Sequence, residues 1–158
     1  MQTPVHDVVS CIDRFHRLLP PKSVSYQCHL TIHLFLPTPL YDCLPVEAGK
    51  NVTDFGAALT EAVVTNNTLE LADGTFFVGE AKLGSKLFIR PCYKELSELV
   101  LDGASCGTFS DIVVTGTPRI GKSMFGFYLL YLLRCRGKNV VFEVKGDWYR
   151  FSDAGVGK

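Results

Sequence analysis

The sequence predicts an α/β fold in which a partial parallel sheet is flanked by helices. Residues 111–115 form a short, β-branched and apolar run, which is typical of a buried parallel strand. Residues 123–136 are almost all apolar and predict a buried helix, and residues 139–143 predict a second strand. A strand, a glycine-containing loop, a helix and a further strand, in this order, make the crossover unit of parallel sheets.

Length and composition predict one sizeable core and exclude a bundle of membrane helices. The chain has 158 residues, of which 47% are hydrophobic and 20% are charged. Its 16 basic side chains equal its 16 acidic ones, so no net charge favours nucleic acid or an anionic membrane. The most apolar stretch, residues 124–133, has about half the length that crosses a bilayer. We therefore expect no membrane contact and no general affinity for nucleic acid.

The cysteines and the first residues bear on the cellular compartment. The 6 cysteines include no C-x-x-C pair and no ligand quartet at zinc spacing, which favours scattered reduced thiols. The start of the chain lacks a basic segment followed by an apolar one, so no secretory signal is visible. Either the protein stays in the cytoplasm or its natural beginning is missing from this sequence.

Residues 1–68 are predicted to form a separate region of helices and one strand, without an assigned fold. Apolar residues at helical spacing over residues 5–19 predict an amphipathic first helix that Pro20 and Pro21 end. Alternating apolar and polar residues over 26–36 predict a half-buried strand. Residues 37–50 have no period and predict a connector.

A second helical stripe is predicted near the end of this region. It runs from Phe55 to Val63, with Thr53 or Asp54 as its N-cap, and Asn66-Asn67 ends it.

Residues 69–158 are predicted to form the first part of a nucleotide-binding domain. Residues 69–71 and 75–78, joined through Asp73-Gly74, predict a hairpin. A third helix is predicted from Pro91 to Leu101, with Pro91 in its first turn and Gly103 closing it.

Residues 116–123, here called the glycine loop, read GTPRIGKS and match the pattern G-x-x-x-x-G-K-[ST] of phosphate-binding loops. Gly116 and Gly121 let the backbone curl, so that successive N–H groups point at phosphate oxygens beside a positive helix end. All eight loop residues are therefore candidate nucleotide ligands: Gly116, Thr117, Pro118, Arg119, Ile120, Gly121, Lys122 and Ser123.

The last two loop residues are assigned the most specific tasks. Lys122 is predicted to bridge the β and γ phosphates of ATP, and Ser123 to hold Mg²⁺ through its hydroxyl. The alternative is a Gly- and Pro-containing turn that precedes a Lys-Ser helix start by chance.

Four further groups of residues carry weaker signals. Hydrolysis also needs an acidic residue at a strand end, and Glu143 has that position, although an ordinary strand end is the preferred interpretation. Asp147 and Asp153 are predicted to be turn residues. His29 and His33 share a strand face without a third metal ligand, and the basic cluster of Lys82, Lys86 and Arg90 is more simply a solvated surface.

Two segments carry a resemblance to a known family: LFIRPCYKELSELVL at residues 87–101, and VVTGTPRIGKSMFGFYLLYLLRCRGKNVVFE at residues 113–143. They resemble the P-loop NTPase domain of Crinkler-type effectors of oomycetes and some fungi, over about residues 69–151. The loop and its Tyr-Leu-Leu-Tyr helix are also similar to the retrotransposon hot spot proteins of trypanosomes. The resemblance implies an ATPase-like module, secretion, and delivery to the nucleus of a host cell, where a host protein is the expected partner.

The sequence departs from the family pattern at two points. Family members usually read GTPGIGKS, and Arg119 replaces the middle Gly at a position that often has positive φ, which costs another residue about 1–2 kcal/mol. We expect weaker nucleotide binding, unless the long cation contacts the phosphates instead. The 35 residues after Ser123 are too few for the remaining strands and acidic metal ligand of a P-loop core, which predicts a truncated domain.

The leading hypothesis is an α/β P-loop module that binds ATP and Mg²⁺. Enzyme activity stays open, because hydrolysis requires acidic and water-positioning groups from missing sequence or a partner. The alternative is a non-catalytic interaction fragment whose loop is degenerate.

Overall fold

The computed structural model describes residues 28–34, 48–105, 111–116, 119–144 and 146–158. The predicted first helix, most of the predicted connector, and Thr117 and Pro118 of the glycine loop lie outside the described residues. The described part contains three α-helices: α1 (Lys50–Thr60), α2 (Pro91–Ser105) and α3 (Lys122–Cys135). Its strands are β1 (Cys28–Leu34), β2 (Val63–Thr65), β3 (Thr68–Glu70), β4 (Lys86–Phe88), β5 (Asp111–Gly116), β6 (Val140–Val144), β7 (Asp147–Ser152) and β8 (Gly155–Gly157).

The larger sheet has five strands in the order β5-β1-β6-β7-β8, and every ladder is antiparallel. The α/β class is confirmed, but the predicted parallel pairing is wrong. The reason is β1, which lies between β5 and β6 and places Ile32 opposite both Ile112 and Phe142. Since β5 and β6 each run antiparallel to β1, they point in the same direction without hydrogen-bonding to each other.

A smaller sheet has the order β2-β3-β4 and is also antiparallel. Asn66 and Asn67 make the β2–β3 turn with φ of 50° and 60°, a conformation that Asn tolerates better than most residues. The prediction that these two residues end a helix is therefore wrong. The predicted hairpin through Asp73-Gly74 is also wrong, because β3 pairs with β2 and β4, and Phe77–Gly79 is a turn of 3₁₀-helix.

The helices begin and end differently from the predicted limits. α1 follows Gly49 without a side-chain cap, so the predicted capping role of Thr53 or Asp54 is wrong. Asp54 instead accepts a hydrogen bond from Lys50 at 2.7 Å. α2 begins at Pro91 as predicted, because its missing N–H is not needed in the first turn, but it continues past Gly103 to Ser105.

The core lies where α1 and α3 pack against the larger sheet. Phe77 stacks on Phe127 of α3 at 5.4 Å between ring centroids, and Phe55 of α1 meets Phe151 of β7 edge-on at 5.9 Å. The middle of α3 is fully enclosed, with Leu129 and Leu130 both 0% exposed. The helix that follows the glycine loop is therefore fixed along its length, and its N-terminus offers a rigid base for a site.

Strand pairings connect the two predicted regions of the chain. β2 pairs with β3, which contains the predicted boundary between residues 68 and 69. β1, in the first predicted region, pairs with β5 and β6 in the second. The division at residues 68 and 69 stays a prediction. Within the described ranges, no helix has the length and apolar character needed to cross a membrane.

Candidate functional site

The glycine loop joins the end of β5 to the start of α3. β5 ends at Gly116 and α3 begins at Lys122, which confirms the predicted order of strand, loop and helix. The next strand, β6, also lies within one residue of its predicted limits. The loop thus leaves the edge strand of the larger sheet and enters the most deeply buried helix.

Three described residues of the loop have positive φ. The angles are 148° at Gly116, 65° at Arg119 and 96° at Gly121. The expectation that Arg119 occupies a position of positive φ is therefore confirmed. Gly121 directly precedes α3 in the left-handed conformation, where the absence of a Cβ removes the steric penalty.

Lys122 folds back across the loop. Its side chain is buried, with 8% exposure, and its ammonium donates a hydrogen bond to the Gly116 carbonyl at 2.9 Å. The contact joins the first and seventh residues of the loop and keeps the positive charge inside the bend. Ser123 follows as the second residue of α3, and its side chain is exposed.

Two side chains of the α2 region hold the other side of the loop. The Arg90 guanidinium donates to the Ile120 carbonyl at 2.9 Å, and the Tyr93 hydroxyl donates to the Gly121 carbonyl at 2.8 Å. A Cβ added at Gly121 would collide with the Tyr93 hydroxyl, so glycine is required there on two counts.

Sequence reasoning missed these two contacts. Arg90 was grouped with Lys82 and Lys86, whereas in the structure Lys82 pairs with Glu80 at 3.1 Å and Lys86 with Glu70 at 2.9 Å. For Tyr93, the sequence predicts only a place in the helix from Pro91 to Leu101. The contacts join residues 28 and 30 positions apart, and no local pattern in the sequence signals such a pairing.

Burial raises the pKa of Tyr93 above its usual 10.0, against the opposing effect of the Arg90 charge. A raised phenol pKa favours the neutral form, so the hydroxyl keeps its proton at physiological pH and acts as a hydrogen-bond donor. The Arg90 guanidinium also lies 5.9 Å from the centroid of the Tyr93 ring.

A cavity of about 30 Å³ lies between α2 and the loop. This volume holds at most a few water molecules. Ligand pockets, by comparison, have volumes of roughly 300–1,000 Å³. The cavity is therefore too small for a nucleotide. The cavity is lined by Cys92, Tyr93, Leu96, Val114, Ile120, Gly121, Lys122 and Phe125.

The donor chemistry of the loop fits a phosphate ligand. Lys122 supplies an ammonium, Ser123 a hydroxyl, and the start of α3 supplies backbone N–H groups that have no partner within the helix. Because a Cβ at Gly121 would collide with the Tyr93 hydroxyl, no side chain at this position covers the backbone beside these donors. Such donors suit a ligand that carries acceptor oxygens and negative charge.

The weaker candidates have structural partners. Glu143 accepts a hydrogen bond from the Gly146 amide at 3.1 Å in the β6–β7 turn. Asp147 pairs with Lys158 at 2.8 Å, and Asp153, in the β7–β8 turn, pairs with Arg134 at 2.7 Å. The side chains of His29 and His33 are outside the description. Among the described residues, no group of three or more His, Cys, Asp or Glu side chains could hold a metal ion.

Comparison with curated proteins finds Crinkler effector protein 15 and Crinkler effector protein 16 of Phytophthora infestans. Each is 35% identical to this chain over 65 residues, which is 40% of the chain. The chain is similar to Crinkler effectors over this part. It spans only 11% and 10% of the length of the two relatives.

No family model matches the chain, and no solved structure matches it. The predicted likeness to retrotransposon hot spot proteins of trypanosomes stays a prediction.

Proposed function

We propose that the glycine loop binds the phosphates of ATP together with Mg²⁺, as the P-loop module of a Crinkler-like effector. The observation that carries the proposal is the position of the Lys122 ammonium, 2.9 Å from the carbonyl of Gly116 at the far end of the loop. An ammonium next to the N-terminus of a helix favours a polyphosphate, because charge-assisted hydrogen bonds are about twice as strong as neutral ones.

The proposal gives the loop residues the following roles. With ATP and Mg²⁺ bound, the Lys122 ammonium would leave the Gly116 carbonyl for phosphate oxygens, and the exposed Ser123 hydroxyl would be a ligand of the metal. Bound ATP supplies a transferable γ-phosphoryl group. The Gly121 and Lys122 amides would donate to the phosphates, and the exposed Arg119 guanidinium would add a cation beside them.

Nucleotide binding is the proposed activity, and hydrolysis depends on groups supplied by further sequence or by a partner. Hydrolysis needs an acidic side chain that orders the metal or the attacking water. Glu143, for which the sequence favours an ordinary strand end, accepts a hydrogen bond from the Gly146 amide in the β6–β7 turn.

The similarity to proteins named as Crinkler effectors supports a location outside the producing cell. Secretion, action in the nucleus of a host cell and a host protein partner are parts of the same proposal.

Labelled ATP in equilibrium dialysis tests the proposal on the full chain. Lys122→Ala removes the ammonium inside the loop, and Lys138→Ala removes an exposed ammonium just beyond the other end of the same helix. We expect Lys122→Ala to weaken ATP binding at least 10-fold, about 1.4 kcal/mol, while Lys138→Ala binds like the parent. Equal ATP binding by the parent and Lys122→Ala would refute the proposal.

Protein binding without nucleotide is the second candidate function. Val63 and Phe88, at opposite edges of the smaller sheet, are 60% and 62% exposed. Their register places both on the face that also carries the Glu70–Lys86 ion pair. If the parent chain retains no ATP in dialysis, this candidate replaces the first.

A further inference from the structure

Arg90 and Tyr93 hold two consecutive carbonyls at the end of the glycine loop. The guanidinium binds the carbonyl of Ile120, and the phenol binds that of Gly121, which also accepts the first helical hydrogen bond from Phe125 at 2.9 Å. Both donors come from the first turn of α2 and the residue before it. We call these two side chains the α2 brace.

The geometry of the peptide bond turns this brace into an orienting device. A trans peptide is planar, so its C=O and the N–H of the next residue point to opposite sides. Holding the Ile120 carbonyl toward Arg90 therefore turns the Gly121 N–H away from α2. Holding the Gly121 carbonyl toward Tyr93 does the same for the Lys122 N–H.

The brace is itself held in place. Pro91 fixes the first turn of α2, where the Tyr93 amide donates to the Arg90 carbonyl at 2.9 Å. The Tyr93 ring is 4% exposed and packs against Phe125 and Tyr128, with centroids at 5.6 and 6.4 Å. Since the ring cannot swing away without opening this contact, its hydroxyl stays at the loop.

We infer that Arg90 and Tyr93 are positioning residues that keep the Gly121 and Lys122 amides turned toward the phosphate side of the loop. This inference rests on the proposed function for its ligand, and on the two carbonyl hydrogen bonds for its geometry. The brace lies on the side of the loop opposite the phosphates and contributes by orienting the amides before the ligand arrives.

Tyr93→Phe is the principal variant, because it removes the hydroxyl and keeps both the charge and the ring packing. Tyr149→Phe, at a buried tyrosine of β7, is the matched control. Amide hydrogen exchange at Phe125, whose N–H donates to the Gly121 carbonyl at 2.9 Å, reads the end of the loop directly and without nucleotide. We expect this exchange to accelerate about 2- to 12-fold in Tyr93→Phe, which corresponds to one net hydrogen bond, and to stay unchanged in the control. Unchanged exchange in Tyr93→Phe overturns the brace.

The same variants are then measured for ATP affinity. We expect Tyr93→Phe to weaken ATP binding by a similar factor at an unchanged fold, and Arg90→Lys, which keeps one donor, to retain more affinity than Arg90→Met. If the parent binds ATP and both Tyr93→Phe and Arg90→Met bind it equally well, the brace has no role in phosphate binding and the inference fails. If the parent binds no ATP, the proposed function fails, and the exchange result still decides whether the brace orients the loop.

Discussion

Backbone conformation at single residues determines what the glycine loop tolerates. Gly121 has a φ of 96°, and the Tyr93 hydroxyl lies where its Cβ would be, while Arg119 has a φ of 65° and an exposed side chain. The first position excludes any side chain for two separate reasons. Arg119 does carry a side chain, and its positive φ strains the backbone.

Gly121→Ala is predicted to destabilise the protein more than Gly137→Ala does. Both glycines have positive φ, but a Cβ at Gly137 meets nothing within 4 Å. Positive φ alone costs about 1–2 kcal/mol, and the collision with Tyr93 adds about 1–3 kcal/mol. Urea unfolding of the two variants measures the difference. Equal losses of unfolding free energy in the two variants would show that the collision with Tyr93 does not contribute.

Arg119→Gly is predicted to raise the free energy of unfolding. Relief of the strained φ gains about 1–2 kcal/mol, and the greater freedom of glycine in the unfolded chain offsets about 0.4–1 kcal/mol of it. Arg119→Ala keeps the strain and loses the charge, so it serves as the control. Chemical denaturation compares the three proteins, and a parent more stable than Arg119→Gly would contradict the strain. ATP affinity in Arg119→Ala separately reports whether the guanidinium contacts phosphate.

At the scale of elements, close packing of α1 on β8 overrides helix propensity. Gly56 lies inside α1, where glycine is about 1 kcal/mol less favourable than alanine. A Cβ at this position would collide with Val156 of β8 and touch the ring of Phe151 at 3.5 Å. The glycine is therefore explained by the neighbouring strand.

Gly56→Ala is predicted to lower stability by about 1 kcal/mol, because a collision of about 1–3 kcal/mol with a stiff β-branched side chain exceeds the gain in propensity. In a Val156→Ala background, the same substitution is predicted to stabilise by about 1 kcal/mol. Thermal unfolding of the four proteins in this cycle tests the change of sign. A stabilising Gly56→Ala in the parent would mean that β8 moves freely.

The sequence predicted the elements around the glycine loop within a few residues. The spacing of the loop motif and the continuous apolar run of α3 are local signals, and they located β5, α3 and β6. The small sheet was not predicted, because Asn66-Asn67 has two interpretations: a helix end, or a two-residue turn with positive φ. Only the pairing of β2 with β3 selects the turn.

At the scale of the whole molecule, the main surprise is the insertion of β1 between β5 and β6. The register joins Cys28 to Gly116, a contact that depends on residues nearly ninety positions apart in the sequence. Alternation within β1 predicted a strand but carried no information about its neighbours. The same limit hid the α2 brace, whose partners follow only from the assembled fold.

The central claim is that the amides at the start of α3 receive phosphate oxygens. Amide NMR during a titration of the full chain with ATP and Mg²⁺ tests it most directly. We predict saturable shifts of the Gly121, Lys122 and Ser123 amides in the parent, and at least 10-fold more ATP for half-saturation of these shifts in Lys122→Ala. Loop amides whose resonances do not shift at saturating ATP, or that reach half-saturation at the same ATP concentration in Lys122→Ala, would contradict the claim.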